Sequence, residues 1–123
     1  MIVGIGCDLS LISRWEDDKT RERLISRWFC GEEQEYVRSR GRAAAQSAAG
    51  IFCAKEALAK ALGTGFLSFS PLDVCVLHSP EGAPLYRLSG AAAQAAERAG
   101  ARRFHLSVTH DAGVAAAFCV AED

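Results

Sequence analysis

The sequence predicts an α+β fold in which an antiparallel sheet is packed by one long helix and several shorter helices. Three observations support this prediction: an alternating strand pattern at the N-terminus, an alanine-rich segment over residues 43–62, and strand-like runs around turn signals in the second half. The order of elements is strand, helices, hairpin, helix, hairpin. A chain of 123 residues has the length of one ordinary domain, so residues 1–123 are assigned to a single domain.

The first strand contains the run GIGCDLS over residues 4–10. Alternate side chains of a strand point to opposite faces, so Gly4, Gly6 and Asp8 share one face. Glycine inside a strand usually marks a bulge or a place where something approaches the backbone closely. The sequence leaves open whether a crossing helix or a ligand makes this approach.

The helices are predicted from apolar spacing and composition. Residues 17–29 have apolar residues at helical spacing and a basic outer surface, and residues 32–40 are expected to add a helical turn or two. Residues 43–62 form the long helix, with Gly63 where a left-handed C-terminal cap is expected. Residues 90–99 form the last helix.

Two hairpins complete the predicted fold. Residues 72–78 and 85–89 are strand-like and are joined by a turn that contains proline and glycine. Residues 104–108 and 114–120 form the second pair, and His110 is predicted to open the turn between them. A histidine in such a turn is more often a surface or capping residue than a catalyst.

Composition and charge exclude several classes of function. The formal net charge of −1 gives no reason to expect a nucleic-acid partner or binding to a membrane surface. No uncharged run has the length of a membrane-spanning helix, and the N-terminus has no signal-peptide pattern, so we expect a cytoplasmic protein. The five cysteines are odd in number and widely spaced, which predicts small buried residues without a disulfide framework. Cys75 and His78 alone do not make a zinc site, because no second pair with ligand spacing exists.

Candidate chemistry is concentrated on the long helix. Lys55 lies near the apolar stripe and is expected to extend its amine to solvent, while Glu56 and Lys60 have the spacing of an (i, i+4) ion pair. Most such pairs only solvate a helix face, so the simple interpretation is favoured when the helix is taken alone.

Asp8 gives a reason to assign Glu56 and Lys60 more than a solvating role. Two carboxylates from different elements, with a lysine one turn from one of them, are the groups that hold a hard divalent cation and a diphosphate. The alternative hypothesis is therefore a magnesium site at Asp8 and Glu56, with Lys60 neutralising phosphate charge. The run GTG at residues 63–65 would offer backbone N–H groups to phosphate oxygens. The dinucleotide fingerprint, the P-loop and the nucleophile elbow are all absent.

Four segments together resemble a known family: GIGCDLSLISR at residues 4–14, FCAKEALAKALGTGF at 52–66, SPLDVCVLHSPEGAPLY at 70–86 and SVTHDAGVAAAF at 107–118. They are similar to the holo-[acyl-carrier-protein] synthases, the short bacterial phosphopantetheinyl transferases of fatty acid and lipid biosynthesis. This resemblance implies transfer of 4'-phosphopantetheine from coenzyme A to a serine of apo acyl carrier protein, with Mg²⁺ as cofactor and adenosine 3',5'-bisphosphate as the other product.

The resemblance also implies roles for individual residues. Asp8 and Glu56 match the family's metal carboxylates, and Lys60 matches the lysine that meets the coenzyme's phosphates. Positions that line the coenzyme site are matched by Gly63, Thr64, Pro84 and His110. The proton of the attacking serine would pass to Asp8, to Glu56 or to a water molecule, and the sequence does not choose among them.

The resemblance also implies an oligomeric state and a protein partner. A homotrimer with active sites between subunits is expected, and Lys55 near an apolar face agrees with a helix that borders a neighbour. Arg14, Arg21 and Arg27 are expected to form a docking surface for the acidic recognition helix of a carrier protein. For any one of these arginines, a solvated helix face is the alternative.

Three positions depart from the family pattern. Leu11 stands where the family usually has Glu, which predicts the loss of a polar contact near Asp8. Ile51 stands where Arg is usual, and Thr109 where Ser is usual. Two rival functions remain. One is a Mg²⁺-dependent hydrolase of coenzyme A or a related diphosphate, which would use the same carboxylates with water as acceptor. The other is a module that binds coenzyme A or carrier protein without turnover, as the departures at Leu11 and Ile51 would permit.

Overall fold

The structure is a computed structural model that describes all residues from 1 to 123. Nine helices and strands follow one another along the chain: β1 Ile2–Leu11, α1 Asp18–Trp28, α2 Gly31–Ser39, α3 Ala44–Ala61, β2 Val74–His78, β3 Pro84–Leu88, α4 Gly90–Ala99, β4 Arg103–Asp111 and β5 Val114–Glu122. Every predicted element is present, so the predicted order is confirmed. No helix has both the length and the apolar composition needed to cross a membrane.

The strands form two antiparallel sheets. Strands β1, β5 and β4 make a three-stranded sheet in that order, and β2 pairs with β3 in a separate hairpin. The α+β prediction is confirmed, although the strands divide into two sheets. The turn between β4 and β5 contains only Ala112 and Gly113, both with positive φ, which matches the twist of a tight hairpin. His110 therefore lies in β4, and its predicted position in the turn was wrong.

Helix α3 packs directly on the glycine face of β1. A Cβ atom on Gly4 would lie 1.8 Å from the carbonyl oxygen of Ala61, and one on Gly6 would lie 2.0 Å from that of Ala57. Neither position has room for a side chain, because the helix backbone occupies that space. Of the two alternatives left open for the close approach at these glycines, the crossing helix is correct and the ligand is not.

A buried ion pair joins α3 to α2. Lys55 is 1% exposed and Glu33 is 0% exposed, and the Lys55 Nζ lies 2.6 Å from Glu33 Oε1. The ammonium also donates to three carbonyl oxygens, those of Trp28 at 3.1 Å, Pro71 at 2.8 Å and Val74 at 2.7 Å. Lys55 thus does not reach solvent, and the expectation that its amine extends there was wrong. Because this chain alone buries Lys55, its position is no argument for a neighbouring subunit.

Glu33, like Lys55, has hydrogen-bond partners from the backbone in addition to the ion pair. Its two carboxylate oxygens accept the backbone N–H groups of Cys30 and Val76, each at 2.8 Å. Burial raises the pKa of Glu33 and lowers the pKa of Lys55, while the charge of each partner acts in the opposite direction. The charges are tolerated because these partners replace the lost water contacts.

Cys30 and Cys75 form a disulfide between the start of α2 and strand β2, with 6.1 Å between their Cα atoms. Cys53 and Cys119 are buried as predicted, but Cys7 is exposed. The prediction of five small buried cysteines without a disulfide was therefore wrong for three of them. Residues 45 positions apart in the sequence meet because α2 packs against the hairpin, which spacing along the chain does not reveal.

Replacing Lys55 with Met is expected to lower the free energy of unfolding by about 3–5 kcal/mol, because it leaves the buried Glu33 carboxylate without its cation. The measurement is urea unfolding followed by circular dichroism. The double variant Lys55→Met with Glu33→Met should recover part of this loss. A cost below about 1 kcal/mol for the single change would contradict a major structural role for the pair.

The disulfide is expected to stabilise the fold by about 2–4 kcal/mol. Cys75→Ser should therefore unfold at lower urea concentration than the wild type without reductant, and a phosphine reductant should remove most of the difference. Cys7→Ser, which changes an exposed cysteine outside the pair, is the matched control and should behave as wild type. Equal stability of wild type and Cys75→Ser under oxidising conditions would contradict this expectation.

Candidate active site

Asp8 is placed by the register of β1. It follows the two glycines on the strand face that meets α3, and it pairs with Ala117 of β5. Its side chain therefore points toward the helix that carries Glu56 and Lys60. Spacing along the sequence does not show that Asp8 lies close to these residues of α3. Their proximity follows from the register of β1 and from the way α3 crosses it.

Lys60 bonds to Asp8 across this junction. Its Nζ lies 3.1 Å from Asp8 Oδ1 and 3.0 Å from the carbonyl oxygen of Cys7. The hydrogen bond to Asp8 is the main cause of a raised pKa for Lys60. The simple hypothesis of a Glu56–Lys60 ion pair was wrong, because the only ion pair of Lys60 is with Asp8. Half of the Lys60 side chain is exposed, so its ammonium is accessible to an anion.

Glu56 lies half-buried beside the same group. Burial raises the pKa of Glu56, and the negative charge of Asp8 raises it further, while Lys60 and Arg14 lower it. The adjacent thiol of Cys53 has a pKa raised to about 12, chiefly by burial and then by the charge of Asp8. Two carboxylates that repel each other at a partly open position are a donor set that suits Mg²⁺. The residues present therefore fit this cation.

The chain after α3 carries the next two predicted residues. Gly63 has φ of 78° and ends the helix, and its N–H donates to the carbonyl oxygen of Lys60 at 3.0 Å. The expectation that the Gly63 N–H is free for a phosphate was therefore wrong. Thr64 is exposed, and its hydroxyl donates to the carbonyl oxygen of Gly65 at 3.1 Å.

Pro84 and His110 line a separate cleft of about 230 Å³. Its walls come from α2, the first half of α3, the β2–β3 hairpin and β4. The His110 Nε2 lies 2.8 Å from the side-chain nitrogen of Gln46. Ile51, which departs from the family pattern, is 3% exposed and forms part of the same wall.

The cleft and the carboxylate group lie on different flanks of α3. Ile51 lines the cleft, whereas Glu56 lies near enough to Asp8 for that carboxylate to raise the pKa of Glu56, and five residues separate the two side chains by about 140° around a helix. The predicted coenzyme residues are therefore brought together in two groups, one around Asp8 and one around His110.

The three predicted docking arginines differ in their surroundings. Arg21 is turned back on the chain, where it donates to the carbonyl oxygens of Trp15 and Glu16 and pairs with Asp18. Arg14 stacks over Phe52 at 5.2 Å, and Arg27 over Trp28 at 4.9 Å.

The other two departures from the family pattern lie on the outer face of the sheet. Leu11 is 62% exposed and, two positions beyond Leu9, points away from the face that carries Asp8. The predicted loss of a contact near Asp8 at Leu11 therefore does not apply. Thr109 is exposed on β4.

Sequence analysis assigned no site role to three residues that line the cleft, Tyr36 of α2, Arg40 directly after α2 and His78 of β2. Tyr36 and Arg40 lie outside the four segments that resemble the family, and His78 lies within one of them without a role of its own. They become recognisable only when the hairpin and α2 are packed together.

Comparison with known proteins identifies the family. The sequence model of the 4'-phosphopantetheinyl transferase superfamily matches residues 4–119. The chain belongs to this superfamily. A curated holo-[acyl-carrier-protein] synthase of Treponema denticola is 42% identical over 99% of both chains. The crystal structure of a Neisseria meningitidis holo-[acyl-carrier-protein] synthase superposes with a TM-score of 0.88 at 31% identity, covering 100% of both chains.

A third relative was solved with coenzyme A. It is the Helicobacter pylori holo-[acyl-carrier-protein] synthase, with a TM-score of 0.81 and 30% identity, covering 96% of this chain and 99% of that one. Membership of the phosphopantetheinyl transferase superfamily makes this chain an enzyme of the transferase class and confirms the resemblance inferred from its four segments.

Proposed function

We propose that this chain transfers 4'-phosphopantetheine from coenzyme A to a serine hydroxyl of apo acyl carrier protein, and that residues 1–123 act as one phosphopantetheinyl transferase domain. The observation that carries the proposal is the meeting of Asp8, Glu56 and Lys60 from β1 and α3 in a chain of this superfamily. The coenzyme A complex of the Helicobacter pylori relative supports coenzyme A as the donor. We place the protein in the cytoplasm as part of this proposal.

Asp8 and Glu56 would hold Mg²⁺ in this proposal. A bound Mg²⁺ would supply positive charge to the diphosphate during transfer. The two carboxylates would orient the donor by holding that charge at the junction of β1 and α3. The half-exposed ammonium of Lys60 stabilises the negative charge that develops on the diphosphate oxygens.

The serine oxygen attacks the phosphorus next to the pantetheine arm. The bond from that phosphorus to the bridging diphosphate oxygen breaks, and adenosine 3',5'-bisphosphate leaves with the bonding electrons. The serine proton must pass to a base, and Asp8 and Glu56 are the carboxylates of this chain that lie at the site.

We also assign the active form to a homotrimer with sites between subunits. The outer face of β1 and β5 is apolar and exposed, with Ile5 at 69%, Leu9 at 70% and Phe118 at 58%. A contiguous face of this kind is typical of a protein interface. The carboxylates and the His110 cleft lie on different flanks of α3, which supports a site that combines one subunit's carboxylates with the next subunit's cleft. Arg14 and Arg27 remain the proposed docking residues for the carrier protein, whereas the guanidinium of Arg21 is already bonded within its own chain to Trp15, Glu16 and Asp18.

The experiment that tests the function is the intact mass of a purified apo acyl carrier protein after incubation with this chain, coenzyme A and Mg²⁺. We expect a gain of one phosphopantetheine that EDTA abolishes. Free phosphopantetheine without protein modification would favour the hydrolase. Coenzyme A binding without turnover would favour the binding module.

Asp8→Asn and Glu56→Gln are each expected to lower the transfer rate by about 10²–10³-fold with the fold retained, because each removes a charge from the proposed metal pair. The measurements are the transfer rate over a Mg²⁺ titration and the circular dichroism spectrum. Glu35→Gln, an exposed change on α2, is the control and should keep the wild-type rate. A wild-type rate in both site variants would refute the metal assignment.

Phe118→Asp is expected to convert the trimer to monomer and to reduce transfer, because it places a charge on the apolar outer face. Sedimentation velocity measures the oligomer. Leu67→Asp is the matched control, since Leu67 is 95% exposed but lies outside this sheet face. A monomeric wild type with full activity would contradict the proposed assembly.

A further inference from the structure

The two cysteines of the disulfide between α2 and β2 differ in their access to solvent. Cys30 is partly exposed, whereas Cys75 is 3% exposed. Access is one of the conditions that set the rate of thiol–disulfide exchange, so a thiolate from solution attacks at Cys30 and not at Cys75. The pair therefore has one open sulfur atom and one protected sulfur atom that can leave and later return.

The position of Cys30 at the start of α2 also favours exchange. Cys30 is the N-cap residue of this helix. The backbone N–H groups of a first helical turn stabilise a thiolate, and reactive cysteines are found in such surroundings. A carboxylate oxygen of Glu32 lies within 4.8 Å of both sulfur atoms, but Arg87 donates to this carboxylate at 2.8 Å and offsets its charge. The open sulfur is thus also the one whose thiolate the helix stabilises.

The disulfide spans the joint between two walls of the cleft. Helix α2 contributes Tyr36 to the lining, and β2 contributes Val76 and His78. Two weaker contacts cross the same joint: Glu33 accepts the backbone N–H of Val76 at 2.8 Å, and the Tyr36 and His78 rings pack with centroids 4.0 Å apart. The disulfide is the covalent member of this set, so its loss leaves only non-covalent contacts to hold the two walls together.

We propose that Cys30 and Cys75 form a thiol–disulfide exchange site for low-molecular-weight thiols, and that the oxidation state of this pair sets the ligand affinity of the cleft. The inference rests on the proposed function for two points, the cytoplasmic location and the use of the cleft by the donor. Cytosolic disulfides are usually transient and redox-sensing, because the surrounding thiol pool reduces them. A pair with one open sulfur at a helix start suits such a role.

The exchange proceeds in two steps. A thiolate from solution forms a bond to the Cys30 sulfur, and the bond to Cys75 breaks with its electron pair on Cys75, which takes up a proton. A second thiolate then attacks the small-molecule sulfur of this mixed disulfide and releases Cys30, which also takes up a proton. Two small-molecule thiols are oxidised to one disulfide, and the protein disulfide is reduced to two thiols. An oxidised small-molecule disulfide reverses both steps.

The exchange is tested on the folded protein in mixtures of reduced and oxidised glutathione. Free thiols are trapped by an alkylating reagent and counted by intact mass, in a Cys7→Ser background that removes the exposed free cysteine. The pair should pass from disulfide to dithiol at the glutathione ratios of a cytosol. Cys75→Ala in the same background should accumulate a glutathione adduct on Cys30, because the protected thiol that resolves the adduct is gone.

Two results would overturn the exchange site. One is a disulfide that resists glutathione until the protein unfolds, since that behaviour belongs to a purely structural crosslink. The other is a Cys30→Ser variant that forms an adduct on Cys75 as readily as Cys75→Ala forms one on Cys30, because the open and protected sulfurs would then be equivalent.

The effect on the cleft is measured by calorimetry with adenosine 3',5'-bisphosphate, the leaving product of the proposed transfer, which carries no thiol. Reduction of the wild type by a phosphine should weaken binding by about threefold to tenfold, because the cleft walls are then less preorganised. Cys30→Ser should bind like the reduced wild type and should not respond to the phosphine. Serine is itself a favourable N-cap residue, so this variant keeps the start of α2.

These measurements need no turnover, so they separate this inference from the proposed function. Exchange and a redox-dependent affinity in a chain that transfers nothing would support the inference while the transferase proposal fails. Equal affinity of the oxidised and reduced wild type, or no binding in either state, would overturn the link to the cleft even if transfer occurs. A response of Cys30→Ser to the phosphine would overturn it too, because another group would then be the cause.

Discussion

The buried pair of Lys55 and Glu33 is the interaction on which the arrangement of this fold depends. Two charges out of water are costly, and the cost is offset only when every remaining hydrogen-bonding group finds a partner. The partners come from the end of α1, the start of α2, and strand β2 with the segment before it. Few relative positions of these elements satisfy all of the bonds, so the pair specifies how α2 and the hairpin sit on α3.

The cleft is a consequence of this arrangement. Tyr36 lies in α2 and Arg40 directly follows it, while His78 and Pro84 come from the hairpin, and Glu33 joins α2 both to Lys55 of α3 and to Val76 of the hairpin. The Cys30–Cys75 disulfide connects the same two elements beside the ion pair. The disulfide and the ion pair with its hydrogen bonds thus hold α2 against the β2–β3 hairpin, and the cleft lies between these two elements.

The carboxylate site depends on a different contact. Gly4 and Gly6 allow the backbone of α3 to approach β1 closely, and this approach brings Asp8 within hydrogen-bonding distance of Lys60. The coupled carboxylates and the cleft then lie on opposite flanks of one helix. The exposed apolar face of β1 and β5 is suited to a subunit interface, and the proposed assembly would bring the carboxylates of one subunit next to the cleft of another.

The sequence by itself determined the order of the elements and the residue types at the carboxylate site. Alternation placed Asp8 on the glycine face, and helical spacing placed Lys60 one turn from Glu56, because both periods are local properties of the backbone. The tertiary structure decided the partners: Lys55 binds Glu33, Lys60 binds Asp8, and Cys30 meets Cys75. These pairs join residues far apart in the chain, and only the packing of helices on strands sets the distances between them.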